Sequence, residues 1–120
     1  MKTQGLNHIQ IEVSDMDKSL KFYSGLLGMS EMFREGSLVF LRSAEGNDVF
    51  TLRQAPGPVT VDGGGLQHFG FAIKRQDHAA AVEEARRFGA EVLDVGQHPG
   101  DGGLYAYIKD PDGYIIEIGG

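Results

Sequence analysis

The sequence contains no cysteine among its 120 residues. Disulfide bonds, thiolate metal ligands and a cysteine nucleophile are therefore excluded, and any metal site must use histidine, aspartate or glutamate. Long apolar runs are absent as well. Neither the segment from Met1 to Leu6 nor any later stretch resembles a signal peptide or a membrane span, so we expect a cytoplasmic protein without a membrane partner.

Positive charge is scarce. The sequence has 11 lysine and arginine residues against 17 aspartate and glutamate residues, which gives a formal net charge of -6. This balance argues against nucleic acid or an anionic membrane as the main partner. It is compatible with a small-molecule substrate, since a local site can oppose the global charge. The 18 glycines argue against a helical bundle and fit a β-rich chain with many turns.

The chain repeats itself at half its length. Gly-Leu-Asn-His at residues 5–8 matches Gly-Leu-Gln-His at residues 65–68, and the same strand and helix patterns follow in both halves. Self-similarity of this kind predicts equivalent structural modules. We predict a single domain over residues 1–120, with a first module at about 5–54, a linker at about 55–64 and a second module at about 65–120.

Each half shows the same order of local patterns. Alternating apolar and polar residues over 7–13 and 67–73 predict half-buried strands. Helices are expected from about Asp15 to Gly28 and from about Asp77 to Gly89, each between a capping aspartate and a terminating glycine. Three strands should follow each helix, near residues 31–34, 38–42 and 48–53, and near residues 91–95, 104–109 and 114–119. The predicted class is α+β: two pseudo-symmetric βαβββ modules forming a curved, partly closed mixed sheet around a metal site.

The second helix pattern also assigns faces. Val82, Ala85 and Phe88 are predicted to point inward, whereas His78, close to the helix start, is predicted to be exposed. The Asp-Pro-Asp-Gly run at residues 110–113 predicts a turn between the last two strands.

The repeat brings two histidines to equivalent positions, because His8 and His68 occupy the same place on the polar side of the two first strands. Glu117 stands between isoleucines in the last strand, where a carboxylate is costly to bury unless it is paired or binds a cation. Two imidazoles and one carboxylate form a triad typical of Fe(II), our favoured ion, and Mn(II), Ni(II), Co(II) or Zn(II) would also fit. The alternative is that the histidines are ordinary half-buried residues and Glu117 is solvent-exposed.

The chain resembles the vicinal oxygen chelate superfamily across its whole length. The likeness lies in Gly-Leu-x-His at 5–8 and 65–68, in the run Ser-Leu-Lys-Phe-Tyr-Ser-Gly-Leu-Leu-Gly at 19–28, and in Asp-Pro-Asp-Gly leading to Glu117. Members include glyoxalase I, extradiol ring-cleaving dioxygenases, methylmalonyl-CoA epimerase, fosfomycin-modifying transferases and metal-free bleomycin-binding proteins. The resemblance implies one divalent ion that chelates two substrate oxygens. It also implies a homodimer, because members with one module pair commonly dimerise.

Two features favour the extradiol-type dioxygenases, which would act on a catechol-like or other vicinal-oxygen small molecule. Thr51 matches Glu117 in the repeat, at the position where glyoxalase I and the epimerase would carry a fourth protein ligand. Gly96-Gln97-His98 followed by Ala106-Tyr107 resembles a dioxygenase pattern, although a larger apolar residue is usual at Ala106. The resemblance implies that His98 is an acid/base or hydrogen-bond donor and that Tyr107 bonds a substrate oxygen.

Other residues and reactions remain open at this point. Gln10, Thr51, Phe50 and Tyr105 are expected to contact the substrate. A glyoxalase-type lyase, an isomerase, a thiol transferase and a metal-free bleomycin-resistance-type binding protein are the alternatives to the dioxygenase. The fosfomycin branch is less favoured because the loop at residues 98–103 has no lysine or arginine.

Overall fold

The structure is a computed structural model that describes all 120 residues. The chain divides into two compact units, Met1–Val59 and Thr60–Gly120. The first unit contains β1 (Ile9–Val13), α1 (Met16–Leu20) continued by a π-helical segment (Lys21–Leu26), β2 (Ser30–Glu35), β3 (Leu38–Arg42) and β4 (Phe50–Gln54). The second contains β5 (Phe69–Ala72), a 3-10 turn (Arg75–Asp77), α2 (His78–Phe88), β6 (Val92–Gln97), β7 (Leu104–Lys109) and β8 (Ile115–Gly119).

The predicted class, α+β with βαβββ order in each half, is confirmed. The strands form two four-stranded sheets with the orders β1-β4-β3-β2 and β5-β8-β7-β6, and neither sheet is closed. The partly closed single sheet expected from the sequence is therefore replaced by two open ones. The single domain and its linker remain predictions.

The register of the two sheets reproduces the sequence repeat. In the first sheet the parallel pair β1 and β4 places Gln10 opposite Thr51, and in the second the parallel pair β5 and β8 places Gly70 opposite Glu117. Thr51 and Glu117 are therefore structural equivalents, as the alignment of the two halves predicted.

The first unit packs its helical segment against the apolar face of its sheet. Asp15 caps α1, because its side chain accepts a hydrogen bond from the Lys18 N–H at 3.2 Å. The π-helical segment buries Phe22 and Tyr23, and the Tyr23 ring lies 5.0 Å from that of Phe50. Gly28 ends the helix with a φ of 68°, a conformation that favours glycine.

The second unit is built in the same way around α2, and it corrects two predictions. Val82 and Ala85 are buried as expected, but Phe88 is 44% exposed. His78, predicted to be exposed, is only 6% exposed. The reason is helical geometry: His78, Val82 and Ala85 are spaced by four and three residues, so they share the face that is covered.

The last hairpin contains the predicted turn. Asp110 is buried, and its Oδ1 accepts hydrogen bonds from the Asp112 and Tyr114 N–H groups, both at 2.9 Å. Gly113 has a φ of 95°, which a larger residue would rarely adopt. This turn fixes the register of β7 against β8 and therefore the neighbours of Glu117. None of the helices has the length and apolar character needed to cross a membrane.

Candidate functional site

The half-exposed face of the second sheet carries a cluster of polar and aromatic side chains. Ala106, Ile108, Ile116 and Ile118 are buried, so the alternate residues of β7 and β8 point to the opposite face. Glu117 lies in the middle of that opposite face, with Tyr107 as its neighbour on β7 and Gly70 on β5. A Cβ at Gly70 would lie 3.0 Å from the Glu117 carbonyl oxygen, so glycine leaves space beside the carboxylate-bearing residue.

His68 immediately precedes β5 and faces the carboxylate. Its Nε2 lies 3.2 Å from Glu117 Oε2. Its other ring nitrogen, Nδ1, is hydrogen-bonded to the side-chain carbonyl oxygen of Gln67, which can only accept. With Nδ1 as the donor in this bond, a neutral His68 points the Nε2 lone pair at the carboxylate, and a protonated His68 donates an Nε2 hydrogen bond to it. A nitrogen lone pair and a carboxylate oxygen at this distance need a positive centre between them, either a proton or a metal ion, so the donor set fits a divalent ion.

His98 engages the second oxygen of the same carboxylate. Its Nε2 lies 3.0 Å from Glu117 Oε1. The backbone of His98 is fixed by the loop that follows, because its N–H donates to the Gly103 carbonyl at 2.8 Å and its carbonyl accepts from the Gly102 N–H at 3.1 Å. Each Glu117 oxygen thus has the Nε2 atom of one imidazole as its neighbour.

Tyr107 completes the surroundings of Glu117. Its ring meets the His68 imidazole edge-on, with centroids 5.3 Å apart, and its hydroxyl hydrogen-bonds to Glu117. The hydrogen bond from His98, assisted by the one from Tyr107, holds the pKa of Glu117 below its ordinary value. Burial and the negative charge of Glu117 raise the pKa of Tyr107 above its ordinary value.

Tyr105 lies next to Tyr107 and His98, and a residue of the edge strand β6 binds its hydroxyl. Its hydroxyl donates to Asp94 Oδ2 at 3.2 Å, and this bond raises the pKa of Tyr105. The Tyr105 ring lies 4.7 Å from the His98 ring and 5.2 Å from the Tyr107 ring, measured between centroids. Aromatic contact therefore links the edge strand to the residues around Glu117.

The first unit repeats the histidine arrangement. His8 immediately precedes β1, is exposed, and its Nδ1 lies 2.6 Å from Asn7 Oδ1. As at His68, a side-chain carbonyl from the preceding residue orients the ring and leaves Nε2 available. Metal-binding histidines commonly donate the hydrogen of their other ring nitrogen to an acceptor of this kind.

The remaining residues predicted to contact substrate are also in the first unit. Gln10 is exposed and Thr51 is fully buried on the same face of the sheet, and Thr51 Oγ1 has no hydrogen-bond partner. Phe50 lies on the other face, where it packs with Tyr23 in the core. Its position is that of a structural side chain.

The second unit thus brings together His68, His98, Tyr105, Tyr107 and Glu117, five of the residues predicted from the sequence. Nowhere does the structure place three or more His, Cys, Asp or Glu side chains in an arrangement suited to hold a metal ion. His68 and Glu117 form a partial ligand set, and His8 as the third ligand is a prediction. The sequence reading missed Asp94, Asn7 and Gln67. The last two had a signal, since an amide residue precedes the repeated histidine in both halves.

The comparisons with known proteins agree with this architecture. A model of the Glyoxalase/Bleomycin resistance protein/Dioxygenase superfamily matches residues 5–118. Lactoylglutathione lyase GLX1 from Arabidopsis thaliana is 33% identical over 122 residues, which cover 92% of this chain and 42% of that protein. The chain therefore spans less than half of the plant enzyme. A probable lactoylglutathione lyase from Synechocystis is 32% identical, with 94% of this chain and 92% of the relative covered.

Two further similarities extend the comparison to other named activities. A manganese-dependent 2,3-dihydroxybiphenyl 1,2-dioxygenase from Geobacillus genomosp. 3 is 28% identical, with 92% of this chain and 35% of that protein covered. Among solved structures, a mutant of the fosfomycin resistance protein FosX from Listeria monocytogenes, complexed with Mn(II) and 1S,2S-dihydroxypropylphosphonic acid, superposes with a TM-score of 0.82. It is 20% identical and covers 98% of this chain and 90% of its own, so this likeness concerns the fold alone.

Proposed function

The chain belongs to the Glyoxalase/Bleomycin resistance protein/Dioxygenase superfamily, and from this premise we propose that it is a metal-dependent enzyme acting on a small molecule with two adjacent oxygen atoms. The observation that carries the proposal is the orientation of His68 toward Glu117. Gln67 engages Nδ1, so that Nε2 and Glu117 Oε2 face each other at 3.2 Å, with either a proton or a metal ion able to join them.

The proposed ligands are His8, His68 and Glu117. His8 joins the set because Asn7 orients its ring as Gln67 orients that of His68. Two imidazoles and one carboxylate suit Fe(II) best, and Mn(II), Ni(II), Co(II) and Zn(II) are the other candidates. An ion bound there supplies Lewis acidity that polarises the substrate oxygens.

Tyr107 and His98 are the proposed catalytic residues. The Tyr107 phenol is protonated at neutral pH, as a tyrosine with an ordinary pKa of about 10 already is, so it can donate a hydrogen bond to a substrate oxygen. His98 Nε2 is the natural site for accepting or returning a proton, because it already exchanges a hydrogen bond with Glu117 at 3.0 Å. Their proximity to the same carboxylate supports a joint role.

Thr51 favours ring cleavage as the reaction. It is the structural equivalent of Glu117, and its uncharged hydroxyl is a poor ligand for a divalent ion. The protein then supplies three ligands and leaves positions for substrate oxygens and for dioxygen. We therefore propose an extradiol-type dioxygenase acting on a catechol-like compound, with Gln10, Thr51 and Tyr105 on the substrate side.

A glyoxalase-type lyase is the second candidate. It is favoured by the names of the relatives from Arabidopsis thaliana and Synechocystis, at 33% and 32% identity. The substrate would then be a thiol adduct of a 2-oxoaldehyde, whose two adjacent oxygens satisfy the same chelation. For either reaction we propose a homodimer, which light scattering of the purified protein would test.

Metal content and a substrate panel test the proposal together. Protein purified without chelator should contain one divalent ion per chain by elemental analysis. His8→Ala, His68→Ala and Glu117→Gln should each lose it, whereas Glu12→Gln, an exposed carboxylate of β1 paired with Arg53, should retain it. Retention of the metal by His68→Ala would overturn the ligand assignment.

The loaded protein then separates the two reactions. Oxygen uptake on catechols by the Fe(II) form would select the dioxygenase. Turnover of the adduct of glutathione and methylglyoxal by the Ni(II) or Zn(II) form would select the lyase. Absence of metal together with tight binding of a flat organic ligand would point to a binding protein and contradict both.

A further inference from the structure

The His98 imidazole, which bonds Glu117 directly, also lies against an aromatic ring that is held in place by hydrogen bonds. The Tyr105 ring lies against the His98 imidazole, with centroids 4.7 Å apart and planes inclined by 40°. The Tyr105 hydroxyl is anchored on Asp94 Oδ2 at 3.2 Å. Asp94 is held in turn, because its Oδ1 accepts a hydrogen bond from the Val95 N–H at 2.9 Å.

The ring occupies its place only because Gly96 has no side chain. Gly96 and Tyr105 are cross-strand neighbours on β6 and β7. A Cβ at Gly96 would lie 2.5 Å from the Tyr105 hydroxyl oxygen and 2.8 Å from Cζ, distances that force the ring to move. The glycine two residues before His98 therefore makes room for the aromatic ring that supports the histidine.

We propose that Gly96, Tyr105 and Asp94 form a seat that positions the His98 imidazole on Glu117 Oε1. In this seat Tyr105 is a positioning residue. Its contact with His98 keeps one carboxylate oxygen occupied by a hydrogen bond, so that the other, Oε2, remains directed at His68. The seat thereby orients Glu117, which is the part of the inference that rests on the proposed metal-binding function.

The first test is the position of His98 in the metal-free protein. Nuclear Overhauser contacts between the His98 and Tyr105 ring protons should be present in the wild type and lost in Gly96→Ala. Gly100→Ala is the matched control, because it lies in the loop after His98 and its Cβ would meet no atom within 4 Å. Contacts that persist unchanged in Gly96→Ala would overturn the proposal.

The second test is the dissociation constant for Mn(II), measured by calorimetry. Loss of a partner that orients a ligand typically weakens metal binding by about 10–100-fold. We expect a loss in this range for Gly96→Ala and Tyr105→Leu, a smaller loss for Tyr105→Phe, which keeps the ring but loses the bond to Asp94, and none for Gly100→Ala. Tighter binding in Tyr105→Leu would show that His98 competes with the ion and would contradict the seat.

A double variant separates positioning from general damage. If Gly96→Ala acts by displacing the Tyr105 ring, it should add no further loss of affinity in a Tyr105→Leu background. Additive losses would contradict the proposal. Tyr105→Leu introduces no clash, so it gives the same readout if Gly96→Ala fails to fold. If the wild-type protein binds no Mn(II), the proposed metal-binding function is wrong. The nuclear Overhauser contacts between His98 and Tyr105 would still test whether the seat positions His98.

Discussion

Glu117→Gln is the most informative single change in the metal-free protein. The substitution keeps the size of the side chain and one carbonyl acceptor but removes the charge that His98 bonds at 3.0 Å. A hydrogen bond to a charged group contributes about 1.5–3 kcal/mol, whereas a neutral one contributes about 0.5–1.5 kcal/mol. The Glu117 side chain is 23% exposed and that of His98 is 41% exposed, so solvent screening removes part of the difference. We expect a loss of about 1 kcal/mol in the free energy of unfolding near neutral pH.

The loss should depend on pH in a defined direction. The folded protein holds the pKa of Glu117 below its ordinary value, mainly through the His98 hydrogen bond. The resulting stability is fully present above the unfolded-state pKa and is lost as the pH falls through the lowered pKa of the folded state. The difference between wild type and Glu117→Gln should therefore shrink as the pH falls below about 4.5, near the pKa of an unperturbed glutamate.

Urea denaturation in the presence of a chelator, repeated from pH 7 to pH 3, measures this difference. With a denaturant slope of about 1–3 kcal/mol/M, the midpoint should fall by about 0.3–1 M at pH 7. Glu12→Gln is the control, because the ion pair of Glu12 with Arg53 is 47% exposed on both sides and such pairs contribute little. An effect no larger than that of Glu12→Gln, or one that persists unchanged at pH 3, would refute the reasoning.

Three further changes test other parts of the structure. Thr51→Val removes a fully buried hydroxyl that has no hydrogen-bond partner. The free energy of unfolding, measured by thermal denaturation, should therefore stay the same or rise by up to about 1 kcal/mol. A clear decrease would contradict this expectation. Tyr107→Phe removes a donor to Glu117 and should raise the pKa of that carboxyl toward its ordinary value in an NMR titration. An unchanged pKa would exclude the hydrogen bond. Ile116→Ala opens a cavity at a fully buried position of β8 and should cost about 2–5 kcal/mol in chemical denaturation, and a loss under about 1 kcal/mol would argue against the core assignment.

The fold was predictable because its determinants are local and occur twice. Alternation over residues 7–13 and 67–73 gave the polar and apolar sides of the first strands, and Asp15, Gly28 and Gly89 marked helix ends. The turn at residues 110–113 then fixed β7 against β8. Once the two strands of this hairpin are placed, their register makes Tyr107 the neighbour of Glu117, and no knowledge of long-range packing is needed.

Two features were not predicted, one because a helical pattern was misread and one because the backbone is irregular. His78 carries a polar ring, so its position near a helix start suggested exposure, although its spacing from Val82 and Ala85 places it on the covered face. Asp94 was missed because the register of β6 shifts between Val92 and Asp94. Simple alternation would put Asp94 on the same face as Val92. The bulge turns it toward Tyr105 instead.

A crystal structure of the protein loaded with Zn(II), with the ion located by anomalous scattering, tests the central claim most directly. We expect one peak per chain, about 2.0–2.1 Å from Nε2 of both His8 and His68 and about 2.0–2.2 Å from a Glu117 oxygen. A peak that excludes His8, or a Glu117 carboxylate bound only by His68 and His98 at saturating zinc, would contradict it.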